Sequence, residues 1–247
     1  MPNGFRHNHY VPEWYQKRFI PPTQADRILY YLNLRPETIN DGKGHVYIMN
    51  GLHRWGFRRC FAEQDLYTTQ FNGVDSTEIE KQFFGAIDRE GRKAVEYYTN
   101  FAYPWDGGNA LIELMQYMST QKLRTPKGLA WLGEVIGAKD QNLLLDRMQR
   151  LRDLYCAIWT ECVWLLADAT QSDTKFIVSD HPVTVYNRRC SPRSQWCQGP
   201  NDPDIQFHGT HTIFQLSMEK VLILTNLSWV RNPYQSEVGV RPNPHPF

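Results

Sequence analysis

Pro182 interrupts what would otherwise be one continuous β-rich run, and that interruption constrains this chain more than any other single feature. Residues 176–186 read Phe-Ile-Val-Ser-Asp-His-Pro-Val-Thr-Val-Tyr, two β-forming arms around Ser179-Asp180-His181-Pro182. β-branched and aromatic residues suit a pleated, half-buried surface, whereas proline donates no ladder hydrogen bond and restricts the residue before it. The stretch therefore reads as strand, turn, strand. Asp180 and His181 are displayed at a strand end, where a side chain can be held rigidly for chemistry, or where Asp180 caps its own turn.

The rest of the chain divides into three parts. In the first, residues 1–70, His7 and His9 precede Pro12, which suits the first turn of a short helix carrying Trp14, Tyr15, Arg18 and Phe19 and stopped by Pro21-Pro22. Residues 28–34 and 45–49 read as strands joined through the turn residues 40–44 in a hairpin, with 60–68 as a return strand. From Ser76 a cap with early acids opens a helical pattern, Ile79, Phe83, Ile87 and Val95, that kinks or breaks near Gly91. Further helices are expected over 110–122, 126–135 and, as one long core element, 140–167. After Asp168 strands return at 175–179, 183–187, 212–216 and 220–225, and a polar excursion over 188–209 lies between them. Connections that long are usually functional or disordered. Residues 230–247 read as an extended tail. The expected fold is α+β, one domain over 1–247. Its mixed or antiparallel sheet is built from both terminal regions, 1–70 and 175–225, and its central helical layer spans about 76–168.

Bulk properties narrow the function. The chain has 247 residues, enough for a substantial core, and its 27 Lys+Arg nearly balance 26 Asp+Glu. No global field draws it to nucleic acid or an acidic membrane, although a local basic patch is compatible with the balance. Aromatics at 13% argue for a folded chain. No apolar run of about 18 residues and no signal-like N-terminus are seen, so the expected location is cytoplasmic, with no membrane partner. Five cysteines fit free thiols better than a disulfide framework. Phosphate-loop, dinucleotide-fold, zincin and lipase signatures are missing.

Three polar clusters carry candidate chemistry: His7/His9, residues 121–126 (Gln-Lys-Leu-Arg-Thr-Pro), and Ser179-Asp180-His181. If they converge, His9 as acid or base, Arg124 as a forked phosphate clamp and Asp180 orienting the imidazole suffice for phosphodiester chemistry. Gln121, Tyr10 and Ser179 are the candidate substrate-binding residues. His9 and Asp180 are expected as a coupled pair across the sheet. Gln121 and Arg124 share a helix face, and Arg124 serves equally well as a helix-end cap. His7, His9, Asp180 and His181 are a candidate site for a divalent ion, Mg, Mn or Zn. The competing reading is an anchoring N-terminal segment with one histidine bonded to backbone. Cys190, Cys197, His208 and His211 miss the usual structural-zinc spacings.

His9-Tyr10-Val11-Pro12 with Tyr15 and Phe19, Asp65-Leu66-Tyr67, Gln121 with Arg124-Thr125-Pro126, and Phe176 with Ser179-Asp180, Pro182 and Val183 together resemble domain-of-unknown-function family 4238, which is largely bacterial. The likeness runs from about His7 to Thr225. It implies that His9, Arg124 and Asp180 belong to one pattern and that a helical middle lies between two β parts. Members more usually carry Asn where this chain has His181, which favours His9 and Asp180 over His181. Two functions are expected from these readings. One is a phosphodiester hydrolase of RNA or DNA, a nuclease of the kind used as a toxin or defence effector. The other is a non-catalytic module that binds a nucleotide or peptide.

Overall fold

The computed structural model describes residues 6–100, 108–191, 193–205, 207 and 209–226. The chain opens with β1 (His7–His9) and a short helix α1 (Glu13–Gln16), which Pro12 caps and a 3-10 turn, Lys17–Phe19, extends. Short strands follow: β2 (Ile28–Leu32), β3 (Thr38–Asn40), β4 (Val46–Ile48), β5 (Leu52–Gly56), β6 (Ala62–Gln64), β7 (Thr69–Phe71) and β8 (Val74–Ser76). A π-helical turn, Ile79–Phe84, leads into α2 (Gly85–Thr99), and then come α3 (Gly108–Arg124), α4 (Pro126–Ile136), α5 (Gln141–Arg150) and α6 (Leu154–Thr160). The described chain ends with β9 (Cys162–Asp168), β10 (Val183–Asn187), β11 (Thr210–Gln215) and β12 (Lys220–Asn226). The fold is α+β with antiparallel sheets. The extended tail expected at 230–247 lies outside the described residues.

The sheet is assembled differently from the expectation. Its order is β10-β11-β12-β9, while the N-terminal strands pair among themselves as two-stranded ribbons. The strand beside β12 comes from 162–168, read in the sequence as the end of a long helix. A continuous apolar run such as Cys-Val-Trp-Leu-Leu-Ala does not separate buried helix from strand by periodicity. Here β12 supplies a seven-residue partner, from Lys220↔Asp168 to Asn226↔Cys162. That pairing takes the β12 edge, so neither the N-terminal strands nor residues 176–179 add to the sheet there. Phe176 N–H instead donates to the Met218 carbonyl (2.8 Å), and no ladder develops before Pro182. The expected hairpin of 28–34 with 45–49 is also nested differently: β2 pairs with β5, and β3 with β4 inside them.

The two ends of the chain still meet, through α1 rather than through strand pairing. Tyr15 stacks on Phe214 at 5.5 Å between ring centroids, and its hydroxyl donates to the Gln215 carbonyl. Arg18 Nε donates to the Leu216 carbonyl at 2.6 Å. Val11, Tyr15, Leu114, Tyr117, Met118, Phe214, Leu222 and Leu224 belong to one buried cluster, so a single core runs through all three parts of the sequence. Among the described residues no helix is long and apolar enough to cross a membrane.

At the centre lies α3, whose Leu114, Tyr117, Met118 and Leu123 are fully buried. Gly91 does not kink α2, which runs through it unbroken. A Cβ at Gly91 would lie 2.4 Å from Tyr117 Cδ2 and 2.7 Å from its Cβ. The glycine lets two helix backbones approach, and the contact is with the root of the Tyr117 ring, which cannot swing aside. Helix propensity alone predicts that Gly91→Ala stabilises by ~1 kcal/mol. Overpacking reverses the sign, and thermal or urea unfolding of Gly91→Ala is expected to show a net loss of about 1–3 kcal/mol. Equal or greater stability would contradict this packing.

Candidate functional site

The C-terminal turn of α3 brings together residues from all four of the sequence stretches that carried the resemblance. Gln121 Nε2 donates to the Tyr10 carbonyl (2.6 Å), and the Tyr67 hydroxyl donates to the Arg124 carbonyl (2.8 Å). Thr125 Oγ1 is 2.7 Å from His181 Nδ1. Thr125 also caps α4, its oxygen accepting from Gly128 N–H at 3.1 Å, with Pro126 in the first helical turn.

Arg124 is only 1% exposed, and its donors are committed inside the protein. Nε and Nη2 bond to Gln121 Oε1 at 2.8 and 2.5 Å, and Nη1 is ion-paired with Asp88 Oδ1 at 2.9 Å. Phe84 and Tyr117 flank the guanidinium at 5.3 and 5.8 Å. The expected sharing of a helix face by Gln121 and Arg124 holds, but the pair braces the core and leaves no fork for a phosphate. Burial pushes Glu80, close to this cluster, up to about 7; Arg124 opposes that shift and Asp88 adds to it.

His9, Arg124 and Asp180 do not form one constellation. His9 Nε2–H donates to the Phe57 carbonyl (3.1 Å) and lies 3.8 Å from Glu13 Oε1. His7 Nε2–H donates to the Arg58 carbonyl (2.6 Å). Both histidines thus anchor the 57–58 backbone, and burial lowers the proton affinity of His9. Asp180 is exposed and shares neither a hydrogen bond nor an ion pair with His9; its charge is felt instead by Tyr10 and Tyr31, both raised chiefly by burial. The expected His9–Asp180 pair is therefore corrected: the carboxylate beside His9 is Glu13, one helical turn along. Ser179 Oγ accepts from His181 N–H (3.2 Å) and shapes the turn. Tyr10 reaches the site through its backbone carbonyl. Among the described residues no three His, Cys, Asp or Glu side chains gather as a metal site requires, so His7, His9, Asp180 and His181 are not one ligand set. His208, of the Cys190/Cys197/His211 group, lies outside the described residues.

A different cluster, on the opposite side of the same helix end, faces a cavity of about 490 Å³. Lys122 Nζ is 2.6 Å from Asp202 Oδ2, Lys127 Nζ is 2.5 Å from Asp202 Oδ1, and His181 Nε2 stands 3.6 Å from Oδ2. Trp131, Tyr155, Ile158 and Trp196 supply apolar walls. Tyr155 stacks on Trp159, whose indole donates to Thr212 in the sheet (3.0 Å). Burial pushes Asp202 upward, yet His181, Lys122 and Lys127 outweigh it and hold the carboxyl well below the usual carboxylate range. Burial lowers Lys122, partly offset by Asp202, and burial keeps His181 neutral below its ordinary value. His181 is 7% exposed, and its Nε2 has no hydrogen-bond partner.

Sequence reasoning included Lys122 in the 121–126 run without giving it a role, and missed Lys127 and Asp202. The available signal was the polar, Pro-containing excursion over 188–209, whose length marked it as functional or disordered and which supplies Asp202 and one cavity wall. Fold and cavity together define an α+β protein with a pocket of small-molecule size. No family model, curated protein or solved structure matches the chain, so the likeness to family 4238 rests on its four motifs.

The Glu80 environment gives a pH test. A carboxyl raised from 4.5 to about 7 by folding adds stability at low pH that is lost as pH climbs through that window. Glu80→Gln removes the cost of burying the anion. Its melting temperature is expected to match the wild type near pH 5 and to exceed it at pH 8; an offset independent of pH would refute the assignment.

Proposed function

We propose that this protein is a binding module for a small anionic ligand with a flat apolar body, the class to which nucleotides belong, seated in the cavity between α4, α6 and the 195–205 stretch. One observation carries the reading. Two lysines share a single carboxylate, which leaves a local surplus positive charge beside a buried imidazole nitrogen with no partner. A buried lysine that shares its counter-ion and a buried nitrogen without a partner are both costly, and an incoming anion relieves both. Asp204 also lines the cavity but is exposed, so solvent screens its charge. The aromatic walls offer stacking surface, and a volume of about 490 Å³ lies within the range of small-molecule sites.

Phosphodiester hydrolysis is the second reading, favoured by a neutral imidazole beside a carboxylate and two lysines, the parts of an acid/base site with charge stabilisation. It moves the chemistry expected of His9, Arg124 and Asp180 to His181, Lys122 and Lys127. Calorimetric titration with a nucleoside monophosphate is expected to show one site per chain. Lys127→Ala should weaken it about 10–100-fold, as loss of a charge-assisted contact does. Labelled RNA and DNA, incubated with Mg²⁺, with Mn²⁺ or with chelator, decide between the readings: cleavage lost in His181→Asn establishes the hydrolase. Neither binding nor cleavage would overturn both.

A further inference from the structure

Asp202 is a planar anion set among three donors. Each of its oxygens is taken by one lysine, Oδ1 by Lys127 and Oδ2 by Lys122. His181 Nε2, at 3.6 Å, is beyond hydrogen-bonding distance and finds no other partner. The carboxylate has acceptor sites to spare, but they lie in one plane, and His181 stands too far from Oδ2 to use one. The three donors come from three places: the last turn of α3, the first turn of α4, and the turn before β10.

We propose that this donor set is matched to a tetrahedral oxyanion, the phosphoryl group of a phosphate monoester, and that Asp202 occupies its place as an internal competitor. A phosphoryl group presents three terminal oxygens, one for Lys122, one for Lys127 and one for His181. The inference rests on the cavity binding an anion and adds which anion and what it displaces. The start of α4, an 11-residue helix, lies at the same spot, and its dipole favours a dianion there. Asp202 itself sits between Asn201 and Pro203 in a stretch with neither helix nor strand. Its departure breaks no sheet or helix ladder. The exchange swaps one anion for another, keeps both lysines paired and satisfies His181, while the chain around Asp202 is released from the cavity mouth. A carboxylate ligand gains less, because its acceptor sites are confined to one plane, whereas the oxygens of a phosphoryl group point in three directions.

Calorimetry with inorganic phosphate, phenyl phosphate and benzoate on the wild type, Asp202→Asn and His181→Asn tests this. Phenyl phosphate is expected to bind at least about tenfold more tightly than benzoate, and Asp202→Asn to bind phosphate about tenfold more tightly than the wild type. His181→Asn should narrow the preference for phosphate over carboxylate. In the wild type, which needs no variant to fold, phosphate should speed amide exchange over residues 200–205. Weaker or unchanged phosphate binding by Asp202→Asn, parity of benzoate with phenyl phosphate, or slowed exchange over 200–205 would each overturn the proposal and leave anion binding standing. Failure of all three compounds to bind any of the proteins would remove the cavity reading itself.

Discussion

The buried charge of Arg124 is the constraint on which the rest of the structure depends. A guanidinium taken out of water is tolerated only when a counter-ion and further acceptors meet its N–H groups. Asp88 on α2 supplies the counter-ion, Gln121 on α3 the acceptor, and the faces of Phe84 and Tyr117 the flanks. Gln121 is held in turn by the Tyr10 carbonyl, and the Arg124 carbonyl by Tyr67. One charge thereby ties α2, α3 and the N-terminal β region to a single point. With that turn fixed, Lys122 projects away from Gln121 and Arg124, toward the cavity. Arg124 positions the site without touching it.

Two buried electrostatic clusters thus flank one helix end, and their difference separates scaffold from site. Around Arg124 the guanidinium meets Gln121 and Asp88 and aromatic rings close the remaining sides. Glu80 Oε2 and the Tyr117 hydroxyl nearby have no hydrogen-bond partner, so what sets the two clusters apart is the open volume beside Asp202. Around Asp202 the pairing is incomplete: two ammonium groups and an imidazole nitrogen converge on one carboxylate, beside open volume. Folding stability alone does not explain that arrangement, since a buried ion cluster adds little over an apolar packing of the same size. Incomplete pairing beside open volume is what the proposed anionic ligand would relieve.

The α+β class was legible because the helical spacing of 76–136 and the alternation at 183–187 and 210–226 agree with local propensity. The sheet membership of 162–168 was not, because a short apolar run carries no periodicity that distinguishes the two states, and the decision came from β12, some sixty residues away. The site divides in the same way. Residues 121–125 were singled out as a polar run at a helix end, and Gln121 with Arg124 on one face followed from helical geometry. The role of that face did not follow, since Asp88 and Tyr10 reach it only through tertiary packing. Asp202 lies in a stretch without periodicity, so no pattern could pair it with Lys122 eighty residues earlier.

His181 shows how the hinge at Pro182 enters the chemistry. The Thr125 hydroxyl accepts from Gly128 N–H and still has a hydrogen to give to His181 Nδ1, and the Asp202 carboxylate facing Nε2 favours the tautomer with the ring proton there. With Nδ1 accepting, the ring proton resides on Nε2, the nitrogen that faces Asp202. Burial disfavours a second proton; Asp202 opposes that shift and the neighbouring lysines add to it, so the proton affinity is lowered. The imidazole therefore offers an N–H without adding a third positive charge beside Lys122 and Lys127. An anion arriving there meets a neutral donor of fixed direction, set by the capping threonine of α4 and by the turn that Pro182 imposes on the chain.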